Sequence, residues 1–179
     1  SIYARPVRAP RKLATEEQLY MSAMRALMRR AHSVYEMRML LERRAEDETM
    51  VRAVLDRLKR DNRLDDARFA REFARTRAAH RKQGRFRIAR ELRARGVPDR
   101  HIEAALDEAF AEANEEEMLK KRLERKLRFV RGPLDERKRA SLYASLLRSG
   151  FSSDQIRRAM RGATGGAADL PEIESAEDE

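Results

Sequence analysis

Apolar side chains recur at helical spacing along most of the chain from Thr15 onward. In RKQGRFRIARELRARG, residues 81–96, the positions Ile88, Ala89 and Leu92 share one face of a helix drawn at about 100° per residue, and the arginines between them lie on the other. Turn residues interrupt this period near 31–32, 45–46, 62–64, 82–84, 96–98, 130–134 and 150–152. The pattern predicts an all-α protein of about nine helices.

Three segments of the chain repeat one pattern without a gap: an apolar helix end, a turn and the start of a new helix. These segments are residues 40–54, 92–106 and 146–160. They begin 52 and 54 residues apart, which is typical of a repeated structural unit. A three-helix unit of this length cannot bury its apolar faces alone. We therefore predict three stacked three-helix repeats that form an elongated, curved solenoid.

The turn inside the repeat contains a glycine in two of its three copies. Gly96 and Gly150 stand where a helix commonly ends in a left-handed residue, and Val97 and Phe151 follow as apolar residues that can pack over the closed end. The first copy has Arg44 at the matching position. We expect its turn to be looser or built differently.

The two ends of the chain lack the helical period. The first dozen residues combine Pro6 and Pro10 with basic side chains, and the end contains Gly165, Gly166 and an acidic run. The predicted organisation is a flexible basic arm at 1–14, repeats at 15–63, 64–114 and 115–162, and a disordered acidic tail at 163–179.

The charge of the body exceeds the net charge of +10, because six of the 31 acidic residues lie after Gly162. Residues 1–162 therefore hold 41 basic against 25 acidic side chains, a net charge of +16. Such a body favours a polyanionic partner, either nucleic acid or an acidic protein surface. Arg outnumbers Lys 34 to 7, which a GC-rich genome also produces without selection for function.

The sequence offers no candidate catalytic or metal site. It has no cysteine, no phosphate-binding or nucleophile motif, and no apolar run of membrane-spanning length or secretory type. His32, His80 and His101 are isolated from one another, and Asp65 and Asp66 stand where a helix needs an N-cap. We expect a cytoplasmic protein without a cofactor or metal that is neither an enzyme nor associated with a membrane.

The run LDDARFAREFARTRAAHRKQGRFRIARELRARGV, residues 64–97, resembles the core of the RecX regulatory proteins, bacterial modulators of the recombinase RecA. The matching positions are Asp66, Phe69, Ala70, Arg77, Gly84, Ile88, Glu91, Leu92 and Gly96. The segment RSGFSSDQIRRAM, residues 148–160, is similar to the end of the family's third unit. The resemblance covers residues 16–162, while Arg44 and the acidic tail lie outside its pattern.

The resemblance implies a non-enzymatic regulator that lies along the groove of the RecA–DNA filament. There it would inhibit or modulate filament extension, ATP hydrolysis, strand exchange and co-protease activity. The implied partners are RecA and RecA-coated single-stranded DNA, with weak binding to bare DNA, and we expect the protein to act as a monomer.

Arginines on the outward helix faces are the candidate contacts to RecA or to phosphates. They are Arg68, Arg71, Arg75, Arg87, Arg90, Arg93, Arg157, Arg158 and Arg161. The alternative is that these faces are only solvated, with Glu72 and Glu91 as nearby partners.

Two other classes of function use the same sequence features. A stand-alone, sequence-nonspecific DNA- or RNA-binding protein would use the same arginines, with RARGVPD as the turn of a helix-turn-helix pair. A helical adaptor for other proteins would need no polyanion. The acidic tail either competes with DNA for the basic body or serves solubility.

Overall fold

The computed structural model describes residues 12–112 and 114–164, and in them the chain forms nine α-helices. The helices are α1 (Glu16–Arg29), α2 (Val34–Glu42), α3 (Glu48–Arg60), α4 (Asp66–Ala79), α5 (Arg85–Ala94), α6 (Asp99–Glu112), α7 (Glu115–Leu127), α8 (Glu136–Arg148) and α9 (Ser153–Thr164). The predicted all-α repeat fold is confirmed. Most of the predicted arm and of the predicted tail lies outside the described residues.

The described chain divides into two compact units. Unit 1 contains the residues up to Glu72 together with Leu92–Ile102, and unit 2 contains Phe73–Glu91 together with the residues from Glu103 onward. The division passes through α4, α5 and α6. The repeat boundaries that the sequence suggested therefore stay a prediction.

In unit 1, helix α1 packs against both α2 and α3. The core is formed by side chains at helical spacing, among which Leu19, Met37, Leu41 and Leu58 have no exposed surface. Ser33 and Glu36 form a capping box at the start of α2, so two backbone N–H groups at that helix end find acceptors. The apolar positions that the sequence places on one helix face are thus the buried positions of this unit.

Unit 2 repeats the same pairing, with α7 packed against α8 and α9. Its core contains Leu119, Leu123, Leu146 and Phe151, each at most 2% exposed. The shared pairing is what a repeated three-helix unit requires.

Both glycine turns adopt the predicted left-handed conformation, with φ of 72° at Gly96 and 97° at Gly150. After α5 the Gly96 N–H donates to the Arg93 carbonyl and the Val97 N–H donates to the Leu92 carbonyl, the two bonds of a Schellman motif. The apolar residue that follows each glycine is buried. The turn prediction is confirmed at both positions.

The turn after α2 is built differently, as the arginine at its centre indicated. The Leu13 N–H donates to the Arg44 carbonyl oxygen at 2.7 Å, and Leu13 forms an isolated parallel bridge with Ala45. Arg44 Nη1 donates to Ser22 Oγ at 3.0 Å. An added segment and a side-chain hydrogen bond therefore hold the turn in place of a glycine, and Leu13, assigned above to the arm, packs against the core of unit 1.

Glu36 joins α2 to the end of α5 within unit 1. Its carboxylate lies 2.8 Å from Arg30 and 3.3 Å from Arg95, and it accepts the Ser33 N–H. Burial by itself raises the pKa of Glu36, but the Arg30 and Ser33 hydrogen bonds and the charges of Arg30 and Arg95 outweigh burial. The pKa of Glu36 in the folded state is therefore below its ordinary value.

We expect Glu36→Gln to lower the free energy of unfolding by about 2 kcal/mol at neutral pH, because glutamine keeps the capping oxygen but loses the charge. A carboxylate whose pKa is lower in the folded state than in the unfolded state stabilises the protein at pH values above its unfolded-state pKa. This stabilisation is lost as the pH falls through the folded-state pKa. Urea unfolding followed by circular dichroism should therefore show the two proteins converging in acid. Glu46→Gln, at an exposed position, is the control. A constant gap between wild type and Glu36→Gln at all pH values would contradict the expectation.

Candidate cationic interface

Three of the nine predicted contact arginines lie in unit 1. Arg68, Arg71 and Arg93 are exposed. Arg68 Nη2 donates to the Asn62 carbonyl at 2.7 Å, and Arg93 Nε donates to Asp99 Oδ1 at 3.1 Å. The Arg93 pair is open to water, so its attraction is screened and leaves the arginine available to a stronger anion.

The predicted arginines of α4 and α5 that belong to unit 2 differ in exposure. Arg75 and Arg90 are exposed, whereas the side chain of Arg87 is 35% exposed. Arg87 Nε donates to Glu91 Oε1 at 3.2 Å, and the first carbon of the Arg87 side chain packs directly against Gly150. Arg87 therefore has a packing role that projection onto a single helix did not show.

One of the three predicted arginines of α9 lines a groove of mixed charge. Arg158 and Arg161 are exposed and Arg157 is half-buried. Arg158 lines a groove between α7 and α9 together with Lys120 and two glutamates of α7. Equal numbers of both signs give this groove little preference for a polyanion.

A second set of cations, absent from the nine sequence candidates, lines a groove of about 710 Å³ in unit 2. Its cationic residues are Arg81, Lys82, Lys121, Arg122, Arg125 and Lys126, and its other lining residues are His80, Asn114, Glu117, Met118 and Phe129. We call it the basic groove. Among the described lining residues, six cations stand against one carboxylate, which makes the groove a suitable site for a polyanion.

The wall formed by α7 follows from the periodicity of that helix. Leu119 and Leu123 are buried in the core of unit 2. The groove side carries a stripe at helical spacing, formed by Met118, Arg122, Arg125 and Phe129. Residues three or four apart share a face, so burying the leucines turns this stripe outward.

The opposite wall is the loop between α4 and α5, which hydrogen bonds hold in place. Arg122 Nη1 donates to the carbonyl oxygens of Arg81 at 3.2 Å and of Lys82 at 3.0 Å. At the end of the loop, the Gly84 N–H donates to the Ser149 carbonyl at 2.8 Å. The backbone that carries the loop cations is thus attached to α7 and to the end of α8.

The positive charge of the groove is not neutralised by ion pairs among the residues that the structure describes. Within residues 12–112 and 114–164, no carboxylate forms an ion pair with any of the six cations. Burial, and then the charges of Arg87 and Arg125, lower the pKa of Arg122. Burial, and then Arg122 and Arg148, lower the pKa of Lys126. Neighbouring cations thus add to the destabilisation of the charged forms of Arg122 and Lys126, and a bound anion would relieve this repulsion.

The two aspartates before α4 have separate structural roles. Asp65 Oδ1 accepts the Arg68 N–H at 3.0 Å, which confirms the N-cap prediction for this residue. Asp66 Oδ1 instead accepts the Val34 N–H at 2.9 Å, a tertiary contact to the start of α2. Across the described ranges, no group of three or more His, Asp or Glu side chains is placed to hold a metal ion. None of the described helices combines the length and the apolar composition that a membrane span requires.

The fold and the groove define a helical repeat protein with a cationic surface groove. Two family models match the chain: the second three-helix domain of RecX at residues 65–106 and the third at residues 114–160. The regulatory protein RecX of Halorhodospira halophila is 38% identical over 151 residues, 84% of this chain and 91% of the relative. That of Prosthecochloris aestuarii is 37% identical over 131 residues, 73% of this chain and 83% of the relative. The chain belongs to the RecX family of regulatory proteins.

Solved structures have the same fold. The crystal structure of RecX from Lactobacillus salivarius superposes with a TM-score of 0.71 at 20% identity, over 83% of this chain and 96% of that one. A second RecX crystal structure has a TM-score of 0.72 at 22% identity, over 81% of this chain and 72% of the other.

Proposed function

We propose that the protein regulates the recombinase RecA by binding the RecA–DNA filament along its helical groove. In doing so it inhibits or modulates filament extension, and with it ATP hydrolysis, strand exchange and co-protease activity. It acts in the cytoplasm, as a monomer and without catalysis of its own. Membership of the RecX family supports the choice of partner, and the basic groove is the observation that carries the binding mode.

Contacts from the basic groove would position the protein on its partner without reading a base sequence. The reason is that a cation bound to a phosphate or a carboxylate distinguishes no base from another. Within each unit taken by itself, the exposed predicted arginines are further candidate contacts. They are Arg68, Arg71, Arg75, Arg90, Arg93, Arg158 and Arg161. Arg87 and Arg157, which are partly buried, would contribute less to binding and more to packing.

ATP hydrolysis by RecA on single-stranded DNA tests this function. We expect the hydrolysis rate to fall in a saturable way as the protein is titrated in, because a blocked filament carries fewer active RecA subunits. A heat-denatured sample of the same protein is the control for non-specific effects. A rate that stays constant at every ratio of protein to RecA would refute regulation, and a rising rate would refute inhibition.

A stand-alone nucleic-acid-binding function is the second candidate. It is favoured by Phe129, an aromatic residue in the basic groove on which a base can stack. Binding to bare single-stranded DNA and to RecA-coated DNA, compared over a range of salt concentrations, separates the two functions. A clear preference for coated DNA supports the regulator, and equal tight binding supports the stand-alone protein.

A further inference from the structure

Phe129 is a large apolar side chain that the fold leaves in water. It lies just after α7, its N–H donates to the Lys126 carbonyl at 3.1 Å, and it is 79% exposed. It lines the basic groove, and the apolar Met118 lies on the same helix stripe. An exposed aromatic beside a row of cations combines the two features with which proteins hold single strands, a track for the backbone and a face for the bases.

The cations are placed for a ligand that runs through the groove. Lys121, Arg122 and Arg125 come from α7, and Arg81 and Lys82 come from the loop across the groove. Positive charge on both walls suits a chain of regularly spaced phosphates, which can be contacted from two sides. A small anion would need only one or two of these residues.

A single strand fits the groove better than a duplex does. Bases in a duplex are stacked on one another and present only their edges in the grooves. In a single strand the bases can be splayed out and stacked on aromatic rings. On a duplex, Phe129 would reach the face of a base only by unstacking a base step. The carboxylates of an acidic protein surface would pair with the cations but have no ring for Phe129 to stack on.

We propose that the basic groove binds a single strand of nucleic acid, with its phosphates along the cations of α7 and the 80–82 loop and with one base stacked on Phe129. The free protein would bind bare single strands in this way. Only the role of the groove on the RecA filament rests on the proposed function. There, the groove would hold a strand that RecA leaves accessible.

The aromatic contact is tested by the fluorescence anisotropy of a labelled oligodeoxythymidine of about 15 nucleotides with the full-length protein. We expect Phe129→Ala and Phe129→Leu to bind about tenfold more weakly than wild type, because neither offers a ring for stacking. Phe129→Trp should restore binding, and binding to duplex DNA should be unchanged in all three variants. The matched control is Phe86→Ala, which removes another exposed phenylalanine of unit 2 that does not line the groove.

The phosphate contacts are tested by the salt dependence of the same binding reaction. Each lost phosphate contact should reduce the slope of log K against log salt by about 0.7. We therefore expect Lys121→Ala combined with Arg125→Ala to flatten the slope, and Arg137→Ala, at an exposed α8 position outside the groove, to leave the salt slope closer to that of wild type. We expect these variants to fold like the wild type because all three side chains are exposed. Far-ultraviolet circular dichroism checks this.

The outcomes separate this proposal from the proposed function. Wild-type affinity for single strands in Phe129→Ala and Phe129→Leu overturns the groove proposal. If those variants also lose their effect on RecA ATP hydrolysis, the groove contacts RecA itself and only the regulatory function stands. The opposite result is that single-strand binding depends on Phe129 but the wild-type protein has no effect on RecA. That result supports the groove proposal and refutes the regulatory function.

Discussion

Replacing Gly84 with alanine is expected to lower the free energy of unfolding by about 3 kcal/mol or more, because a side chain at this position meets backbone that cannot rotate away. A Cβ there would collide with the carbonyl oxygen of Gly150 and would lie 2.5 Å from its carbonyl carbon and 2.9 Å from the Phe151 nitrogen. Relief requires the α4–α5 loop to separate from the end of α8. That movement breaks the bonds from Gly84 N–H to Ser149 and from Phe86 N–H to Gly150.

The control for this substitution is Gly162→Ala in α9. A Cβ at Gly162 has no neighbour within 4 Å, and the position is helical. Alanine should therefore stabilise the protein by about 0.5–1 kcal/mol through helix propensity. Urea unfolding followed by circular dichroism measures both effects. Equally small changes in the free energy of unfolding for the two variants would show that the α4–α5 loop is free to move away from α8.

Reversing two charges of the basic groove, by Lys121→Glu with Arg125→Glu, is expected to weaken binding to RecA-coated single-stranded DNA by about 100-fold at low salt. Each reversal removes an attraction and adds a repulsion. Glu117 is the one carboxylate among the described residues that line the groove. The concentration needed to half-inhibit RecA ATP hydrolysis should rise with the measured dissociation constant. Salt should narrow the difference between variant and wild type, because screening weakens both signs of interaction.

The matched control carries the same net charge at different positions. Arg131→Glu with Arg137→Glu reverses two exposed arginines of unit 2 that do not line the groove. We expect this variant to lose far less affinity than the groove variant. Equal losses in the two double variants would mean that net charge alone governs binding and that the groove has no special part.

Features that depend on a few neighbouring residues could be predicted from the sequence. Gly96 and Gly150 end their helices because a left-handed residue without a Cβ is a local requirement, and both have positive φ. Ile88 and Leu92 are fully buried because a helix with one apolar stripe has only one way to face a core. The departure at Arg44 was also visible, although the strand-like contact of Leu13 that replaces the glycine turn was not.

The candidate site was predicted only in its outline. Excess positive charge indicated a polyanionic partner, but the arginines chosen on α4, α5 and α9 do not include the residues of the basic groove. The sequence of α7, EEEMLKKRLERKL, contains nearly equal numbers of both charges and so resembles a solvated helix. The one usable signal was the stripe that ends in Phe129, an aromatic at a helix end outside the buried face.

Except for the break between α6 and α7, which none of the predicted interruptions of the period marks, the helix ends and buried faces in the described residues follow from the sequence by itself. The reason is that periodicity, capping and glycine conformation act within a few residues of the chain. The basic groove and the partial burial of Arg87 arise only in the tertiary structure. Arg122 reaches carbonyls 40 and 41 residues earlier in the chain. Arg87 packs against a glycine 63 residues later. Such distant residues meet because the core draws α7, α8 and the 80–84 loop together, and no local pattern records which outward charges that packing will bring face to face.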